Sequence, residues 1–263
     1  LNTDPLLAAP GNGDFTPRVG SPVVDAGTSQ GRPAGAEVDY FIEPRPLRGG
    51  PDIGAVELPE IFYVDNSVPR TNPNGRSWGS AFNTIQAGID AAANADGGEV
   101  WIARGVYAED RSAASPVTGA LRMRSGVRVY GEFAGYEDAR TDRILPDTIE
   151  TALLETVIEG ATARAGQRAI HVVVGAGDAV LDGVRIAGGQ ARGATPDDTR
   201  GGGVFNTADG FVLRNAQVTF NDAAEGGGIY WAADGVIDSV LVRFGNADIG
   251  GGILFGGANA PRL

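Results

Sequence analysis

Apolar residues recur in a repeated pattern between Asp178 and Leu263. Three phrases of equal length align with one another: VLDGVRIAGGQA from Val180, VLRNAQVTFNDA from Val212 and VIDSVLVRFGNA from Val236. Alternation of apolar and polar residues with a period of two predicts strands that bury one face. The apolar columns are Leu181, Leu213 and Ile237; Val184, Ala216 and Val240; and Ile186, Val218 and Val242, and a further column, Gly183, Asn215 and Ser239, interrupts the alternation.

Glycine runs separate these phrases. Three Gly-Gly-Gly runs begin at Gly201, Gly226 and Gly250, so their spacing nearly matches that of the last two phrases. We expect the runs where the chain turns tightly or lies against a neighbouring repeat. We expect a bend at the interrupting column, since small and amide residues tolerate bent backbone.

The repeats predict an all-β solenoid of the parallel β-helix type. Each repeat is too short to bury its own apolar face, so the repeats bury a continuous core by stacking. We expect coils of about 24 residues and a rise of about 4.8 Å per coil, the ordinary distance between strands. A β-sandwich would need hairpin turns, and Asn-Gly occurs at Asn12-Gly13 and Asn74-Gly75, both outside the repeats.

An α-helix is predicted before the repeats, over residues 83–95. Asn83 is a favourable N-cap, and Gln86 completes a capping box. Ile85, Ile89 and Ala92 share one face, which suits a helix that plugs the apolar end of a β-helix.

Composition narrows the function classes. The chain has 263 residues, a net charge of −12 and no lysine. It carries no basic patch, so nucleic acid and anionic membrane surfaces are unfavoured partners. Cysteine is absent, which excludes disulfides and thiol catalysis. No apolar run is long enough to insert into a membrane, and the chain begins with Leu1, which indicates a processed product or a piece of a longer chain.

Residues 1–58 are rich in loops and contain a series of short phrases. They are DPLL from Asp4, GDF from Gly13, SPVVDAG from Ser21, PRP from Pro44 and PDIGAVE from Pro51. This series resembles the closing segment of bacterial secreted right-handed β-helix proteins of the pectin-lyase-like superfamily. The carboxylates of the segment, Asp25, Asp52 and Glu57, have two interpretations, a cation site or turn-forming residues, and the turn-forming role is favoured.

Residues 59–263 resemble the opening part of the same family. The stretch from Tyr63 to Tyr107 resembles its opening segment, and VRVYGEFAGYEDARTDR from Val127 resembles an early coil. The Gly-Gly-apolar repeats are similar to those of polymorphic outer-membrane proteins. The resemblance implies a right-handed parallel β-helix at the surface of a bacterium or outside the cell.

The order of the two segments is reversed relative to that family. A closing segment comes first, an opening segment follows, and the chain stops after the third glycine run. Two explanations stay open: a piece of a longer tandem chain, or a subunit that polymerises head to tail, with 1–58 of one copy closing the β-helix of another. The residues predicted to mediate assembly are Gly250, Gly251, Gly252, Ile253, Leu254, Leu6, Leu7, Val23 and Val24.

Catalytic candidates are few, and we predict no catalytic, cofactor or metal residues. Asp182, Arg214 and Asp238 form an outward column that is better explained by ion pairs between coils than by catalysis. His171 is the only histidine, and it has no nucleophile signature beside it, so a strand residue with a local hydrogen bond is favoured. Tyr230-Trp231 are interpreted as packing rather than as a sugar platform.

Two functions follow. The first is a non-enzymatic extracellular structural protein: a stalk, adhesin or fibre subunit whose partners are copies of itself. The second is a carbohydrate-binding or polysaccharide-degrading β-helix, with surface polysaccharide as its partner. The second depends on fold analogy.

Overall fold

The computed structural model describes residues 3–28, 30, 39–40, 50–95, 97–149 and 152–256. The predicted Pro44-to-Pro46 phrase lies outside these residues. The chain forms two compact units: unit 1 comprises residues 1–60 and 136–144, and unit 2 comprises residues 61–135 and 145–263. The predicted boundary after residue 58 did not anticipate that residues 136–144 belong with unit 1.

Unit 1 contains an antiparallel β-hairpin, β1 (Leu7–Ala9) and β2 (Asp14–Pro17). A 3-10 turn, Pro10–Asn12, joins the two strands, and a second, Arg140–Asp142, lies in the other segment of the unit. The guanidinium group of Arg18 donates to the carbonyl oxygens of Leu7 and Ala8 at 3.3 and 2.7 Å and pairs with Asp142 at 2.6 Å. This arginine therefore ties the hairpin to the second segment of its unit.

Unit 2 is mostly β, with one α-helix among its described residues, α1 (Ile85–Asn94). Two 3-10 turns lie at Trp78–Ser80 and Asp197–Thr199. The strands are β3 (Ile61–Val64), β4 (Gly98–Ala103), β5 (Gly105–Tyr107), β6 (Leu121–Arg122), β7 (Val127–Phe133), β8 (Thr156–Glu159), β9 (Val173–Val174), β10 (Val180–Asp182), β11 (Arg185–Ala187), β12 (Gln190–Ala191), β13 (Val204–Asn206), β14 (Phe211–Thr219), β15 (Asp222–Ala223), β16 (Ile229–Trp231), β17 (Gly235–Arg243) and β18 (Ile253–Phe255).

These strands pair in parallel in three sheets. The first has nine strands, in the order β3-β4-β7-β10-β14-β11-β8-β5, and β17 also pairs with β14. The second has five strands, in the order β18-β16-β13-β9-β6, and the third is the pair β12-β15. Strand β9 begins at Val173, where pairing in the second sheet begins.

The register confirms the predicted columns. Leu181 pairs with Leu213, and Leu213 pairs with Ile237. The core cluster includes these residues, and all three columns are fully buried in the first two repeats. The repeat period therefore brings equivalent residues side by side in parallel strands.

The interrupting column forms the expected bend. Gly183, Asn215 and Ser239 all have positive φ, at 74°, 47° and 53°. Strand β14 pairs with β10 before Asn215 and with β11 after it. The left-handed backbone at this column bends the long strand β14, so that its two halves pair with different strands of the first sheet.

Helix α1 lies within the predicted range, but its predicted capping was wrong. Its N-cap is Thr84, whose hydroxyl oxygen accepts from the N–H of Ala87 at 3.3 Å. Asn83 instead bonds both backbone groups of Arg70. The side-chain oxygen of Gln86 accepts from the N–H of Arg122 at 2.9 Å. Both residues of the expected capping box therefore bond to residues that are distant in sequence rather than to the N-terminus of the helix.

Candidate functional site: the open end of the parallel sheets

One end of the first sheet is sealed. The outer edge of β3 bonds a neighbouring loop, since Tyr63 N–H donates to Gly75 at 2.8 Å and Phe82 N–H donates to Tyr63 at 2.8 Å. Helix α1 packs behind this edge, and its residues Ile85, Ile89 and Ala92 are fully buried. We call β3, residues 75–82 and α1 the plugged end.

A buried carboxylate lies beside the helix at the plugged end. The side chain of Glu109 is 7% exposed and lies near the first turn of α1, where the electrostatic influence of Thr84, Ile85 and Gln86 favours its charged form. Burial raises the pKa of Glu109, while the guanidinium group of Arg111, 3.8 Å away, opposes that rise. Glu109 therefore places a carboxylate near the N-terminus of α1, where the helix dipole favours negative charge.

The opposite end of the sheets is open within the part of the chain that the structure describes. Strand β17 pairs with β14 alone and β18 with β16 alone among the described residues. We call these two edge strands, with the loop between them, the open end (residues 235–256). Unpaired N–H and C=O groups at such an edge are a template for another strand.

The apolar core reaches the surface at the open end. Ala216, Val218 and Ile229 are fully buried, yet Val240, Val242 and Ile253, one repeat later in the same columns, are part-exposed. In the next column Trp231 is fully buried, whereas Phe255 is 39% exposed. Among the described residues no further strand covers β17 or β18, so the open end can bury more apolar surface.

The glycine run at the open end differs from its equivalents. A Cβ on Gly203 would lie 2.6 Å from the carbonyl oxygen of Gly228, and one on Gly228 would lie 2.6 Å from that of Gly252. A Cβ on Gly252 would meet its nearest atom at 3.9 Å, an ordinary contact. The first glycines of the runs, Gly201, Gly226 and Gly250, all have φ near 60°. The runs therefore turn the chain and lie against a neighbouring repeat, as predicted.

The predicted assembly residues fall on two surfaces. Gly250, Gly251, Gly252, Ile253 and Leu254 all lie at the open end and are exposed or part-exposed. In unit 1, Leu6 is 42% exposed, Leu7 and Val24 are part-exposed, and Val23 is 3% exposed. The side chain of Val23 therefore has almost no surface to offer a partner in this conformation. The role of these residues in assembly stays a prediction.

Sequence reasoning missed an exposed aromatic pair. Phe220 and Phe244 are 62% and 67% exposed and stack with ring centroids 4.7 Å apart. Both have φ near 55°, which is strained for a bulky side chain. Gly188 sits at the same corner one repeat earlier, with φ of 87°. The recurrence of phenylalanine at one position of two successive phrases was the signal that could have found them.

His171 is buried against an aromatic stack. Its imidazole is 3% exposed, stacks on Phe205 at 4.8 Å, and has Nδ1 3.0 Å from the carbonyl oxygen of Gly201. Burial lowers the pKa of His171 and favours the neutral imidazole. The predicted hydrogen bond is present, but its partner lies 30 residues away in the chain rather than locally, and His171 precedes β9 rather than lying in a strand.

The outward column of charges forms a more buried pair than expected. Asp182 binds Arg214 at 2.6 Å and the side chain of Asn215 at 3.0 Å, and the side chain of Asp182 is only 1% exposed. The expectation of ion pairs between repeats is confirmed for Asp182 and Arg214; the carboxylate is buried, whereas the side chain of Arg214 is 39% exposed. The carboxylate of Asp238 accepts from the hydroxyl of its neighbour Ser239 at 3.0 Å.

The remaining candidate residues have structural roles within the part of the chain that the structure describes. Tyr230 is 8% exposed and Trp231 is fully buried, so the packing interpretation is confirmed. Asp52 accepts from the N–H groups of Asp25 and Leu58 at 2.7 Å each, as the turn-forming role predicts. Among the residues that the structure describes, no group of three or more His, Cys, Asp or Glu residues is arranged to hold a metal ion.

Comparisons with protein-family models, with curated proteins and with solved structures found no match for the chain. The resemblances to bacterial β-helix families stay predictions. No helix within the described part of the chain has the length and apolar character needed to cross a membrane.

Proposed function

We propose that this chain is a non-enzymatic structural protein whose parallel sheets are coils of a right-handed parallel β-helix. It acts at the surface of a bacterium or outside the cell, as a stalk, adhesin or fibre subunit. The resemblance of residues 1–58 and 59–263 to bacterial secreted β-helix proteins of the pectin-lyase-like superfamily motivates the location. The parallel registers, which align Leu181 with Leu213 and Leu213 with Ile237, support the coil assignment.

The observation that carries the proposal is the difference between the two ends of unit 2. At the plugged end, Val64 and Ile85 are fully buried. At the open end, Val242 and Ile253 are part-exposed beside two unpaired strand edges in the described residues. The edge of β3 at the plugged end is already bonded to residues 75–82, so we infer that growth is directional: the open end of one copy is completed by residues 1–58 of another. Such a head-to-tail contact generates a fibre when it does not close into a ring.

A substitution at Gly252 tests this function. Gly252→Ala leaves the isolated chain intact, because the new Cβ meets only an ordinary contact at 3.9 Å. A strand added to β18 would bring its backbone as close as Gly252 lies to Gly228, so the same methyl group blocks assembly. Gly79→Ala is the matched control, since its Cβ has its nearest neighbour at 3.8 Å and lies away from the open end.

The assay is negative-stain electron microscopy with sedimentation velocity over a concentration series of the full chain. We expect filaments or concentration-dependent oligomers for the unchanged chain and for Gly79→Ala, and monomers for Gly252→Ala at an unchanged unfolding midpoint. Monodisperse rods of the unchanged chain at every concentration would refute head-to-tail completion.

A further inference from the structure

The exposed phenylalanine pair of unit 2 occupies a strained backbone position. Phe220 and Phe244 are 62% and 67% exposed, and their φ angles are 56° and 54°. A bulky residue in the left-handed region is an outlier, and glycine or asparagine would adopt this backbone at lower cost. The core gains little from either ring, since most of each side chain lies in solvent. A strained residue whose side chain adds little burial indicates a role beyond folding.

One face of the Phe220 ring is open. Strand β14, which ends just before Phe220, lies between β11 and β17 in the first sheet. The ring of Phe244, which follows β17, stacks on the Phe220 ring with an interplanar angle of 13°. The other face of Phe220 is therefore directed toward the corner after β11, where the equivalent residue is Gly188. Gly188 has no side chain that could cover the ring.

Two charged side chains surround Gly188. A Cβ at this glycine would collide with Oε1 of Glu159, so the carboxylate lies directly beside it. The guanidinium group of Arg168 donates to the carbonyl oxygen of Gly188 at 2.9 Å and to that of Phe220 at 3.4 Å. Both charged groups are part-exposed. The open face of Phe220 is therefore bordered by one positive and one negative group.

Each of these charged groups keeps hydrogen-bonding capacity. Glu159 accepts from the N–H of Ala161 through Oε1 at 2.9 Å, which leaves Oε2. Arg168 donates through Nε and Nη2, which leaves Nη1. Among the described residues neither remaining atom has a hydrogen-bond or ion-pair partner. A ligand on the ring can therefore accept from Arg168 and donate to Glu159.

We propose that the open face of Phe220 binds a neutral pyranose sugar ring, whose hydroxyl groups bond Arg168 and Glu159. The C–H face of such a ring suits the negative face of an aromatic ring, and each hydroxyl group can both donate and accept. The two charges of the site cancel, which favours a neutral ligand, and the net charge of −12 opposes a polyanionic one. This inference goes beyond the proposed structural function, and it rests on these side chains rather than on fold analogy.

Titration of the full chain with neutral oligosaccharides tests the site. The probes are cellohexaose and laminarihexaose, two β-linked glucose oligomers whose rings present apolar C–H faces. Replacing Phe220 by 4-fluorophenylalanine keeps the ring and reports binding as a change in the ¹⁹F chemical shift. We expect a saturable shift at this position with at least one probe. The same label at Phe15, which is 56% exposed in unit 1, is the control and should not shift.

Variants of the unlabelled chain provide the quantitative arm, with binding followed on the sugar by saturation-transfer difference NMR. Phe220→Asn removes the ring and should weaken binding by about 10-fold or more. It should not lower the unfolding midpoint, because asparagine tolerates the left-handed backbone. Phe15→Asn is the matched control, since it also removes an exposed ring, and its binding should be unchanged. Glu159→Gln should keep part of the binding, because the amide oxygen still accepts a hydrogen bond.

Three results would overturn the inference. They are no saturable shift with either probe, equal binding by Phe220→Asn and the unchanged chain, and binding only of charged sugars when glucosamine and galacturonate hexamers replace the probes. Binding of a neutral sugar should also persist between about 0.05 and 0.5 M salt, whereas a steep loss would indicate a charged ligand. Assembly is measured separately, so a chain that stays monomeric can still bind the sugar, and a chain that binds no sugar can still assemble.

Discussion

The corner column offers a prediction that separates backbone strain from hydrogen bonding. Asn215 and Ser239 occupy equivalent corners, with φ of 47° and 53°. The side chain of Asn215 donates to the buried carboxylate of Asp182 at 3.0 Å. The hydroxyl of Ser239 instead donates to its exposed neighbour Asp238. The two positions therefore share a backbone conformation and differ in what the side chain holds.

Alanine and glycine at both positions give four variants. Glycine adopts the left-handed conformation freely, whereas this conformation costs alanine about 1–2 kcal/mol. The unfolded chain has more conformational entropy with glycine than with alanine, and this offsets part of the difference in stability. We expect each alanine variant to be less stable than its glycine counterpart by about 1 kcal/mol. A hydrogen bond to a charged group contributes about 1.5–3 kcal/mol. The bond of Ser239 lies in solvent, whereas that of Asn215 is made to a buried carboxylate, so both variants at 215 should be less stable than those at 239 by about 2 kcal/mol.

The measurement is urea unfolding followed by circular dichroism, with free energies compared only where the dependence on denaturant is unchanged. Alanine as stable as glycine at both positions would show that the corner is not left-handed. Equal costs at 215 and 239 would show that the bond to Asp182 adds nothing.

Three further predictions concern stability. Burial lowers the pKa of His171 in the folded protein, so folding favours the neutral imidazole. The stability that the neutral imidazole contributes is full above the unfolded pKa of about 6.5 and is lost as pH falls through the folded pKa. His171→Asn should therefore make the free energy of unfolding depend less on pH between about pH 5 and 7. Gly228→Ala should cost more than about 2 kcal/mol in chemical unfolding, because its Cβ would lie 2.6 Å from a carbonyl oxygen, and a cost equal to that of Gly252→Ala would contradict the stacked backbone. Thr84→Ala should cost about 1 kcal/mol by removing the N-cap while Thr84→Ser restores it, and an equal loss in both would contradict a role for the hydroxyl.

Sequence periodicity anticipated much of unit 2. The columns headed by Leu181, Val184 and Ile186 pair as predicted, and the bend falls at Gly183, Asn215 and Ser239. This was predictable because the fixed length of the repeat sets which residues of neighbouring strands pair, and each repeat must bury its apolar face against the next. The helix was also predictable, since its apolar face is a local pattern.

Only the tertiary structure decided which groups meet across the chain and which stay exposed. It transferred the helix cap from Asn83 to Thr84 and brought the distant Glu109 to the same turn, because burial and hydrogen bonding at a helix terminus depend on residues far away in sequence. It placed Phe255 at the surface and Trp231 in the core, although both occupy one column of the repeat. The sequence determines that a position faces inward, but whether that position is buried depends on a neighbouring layer.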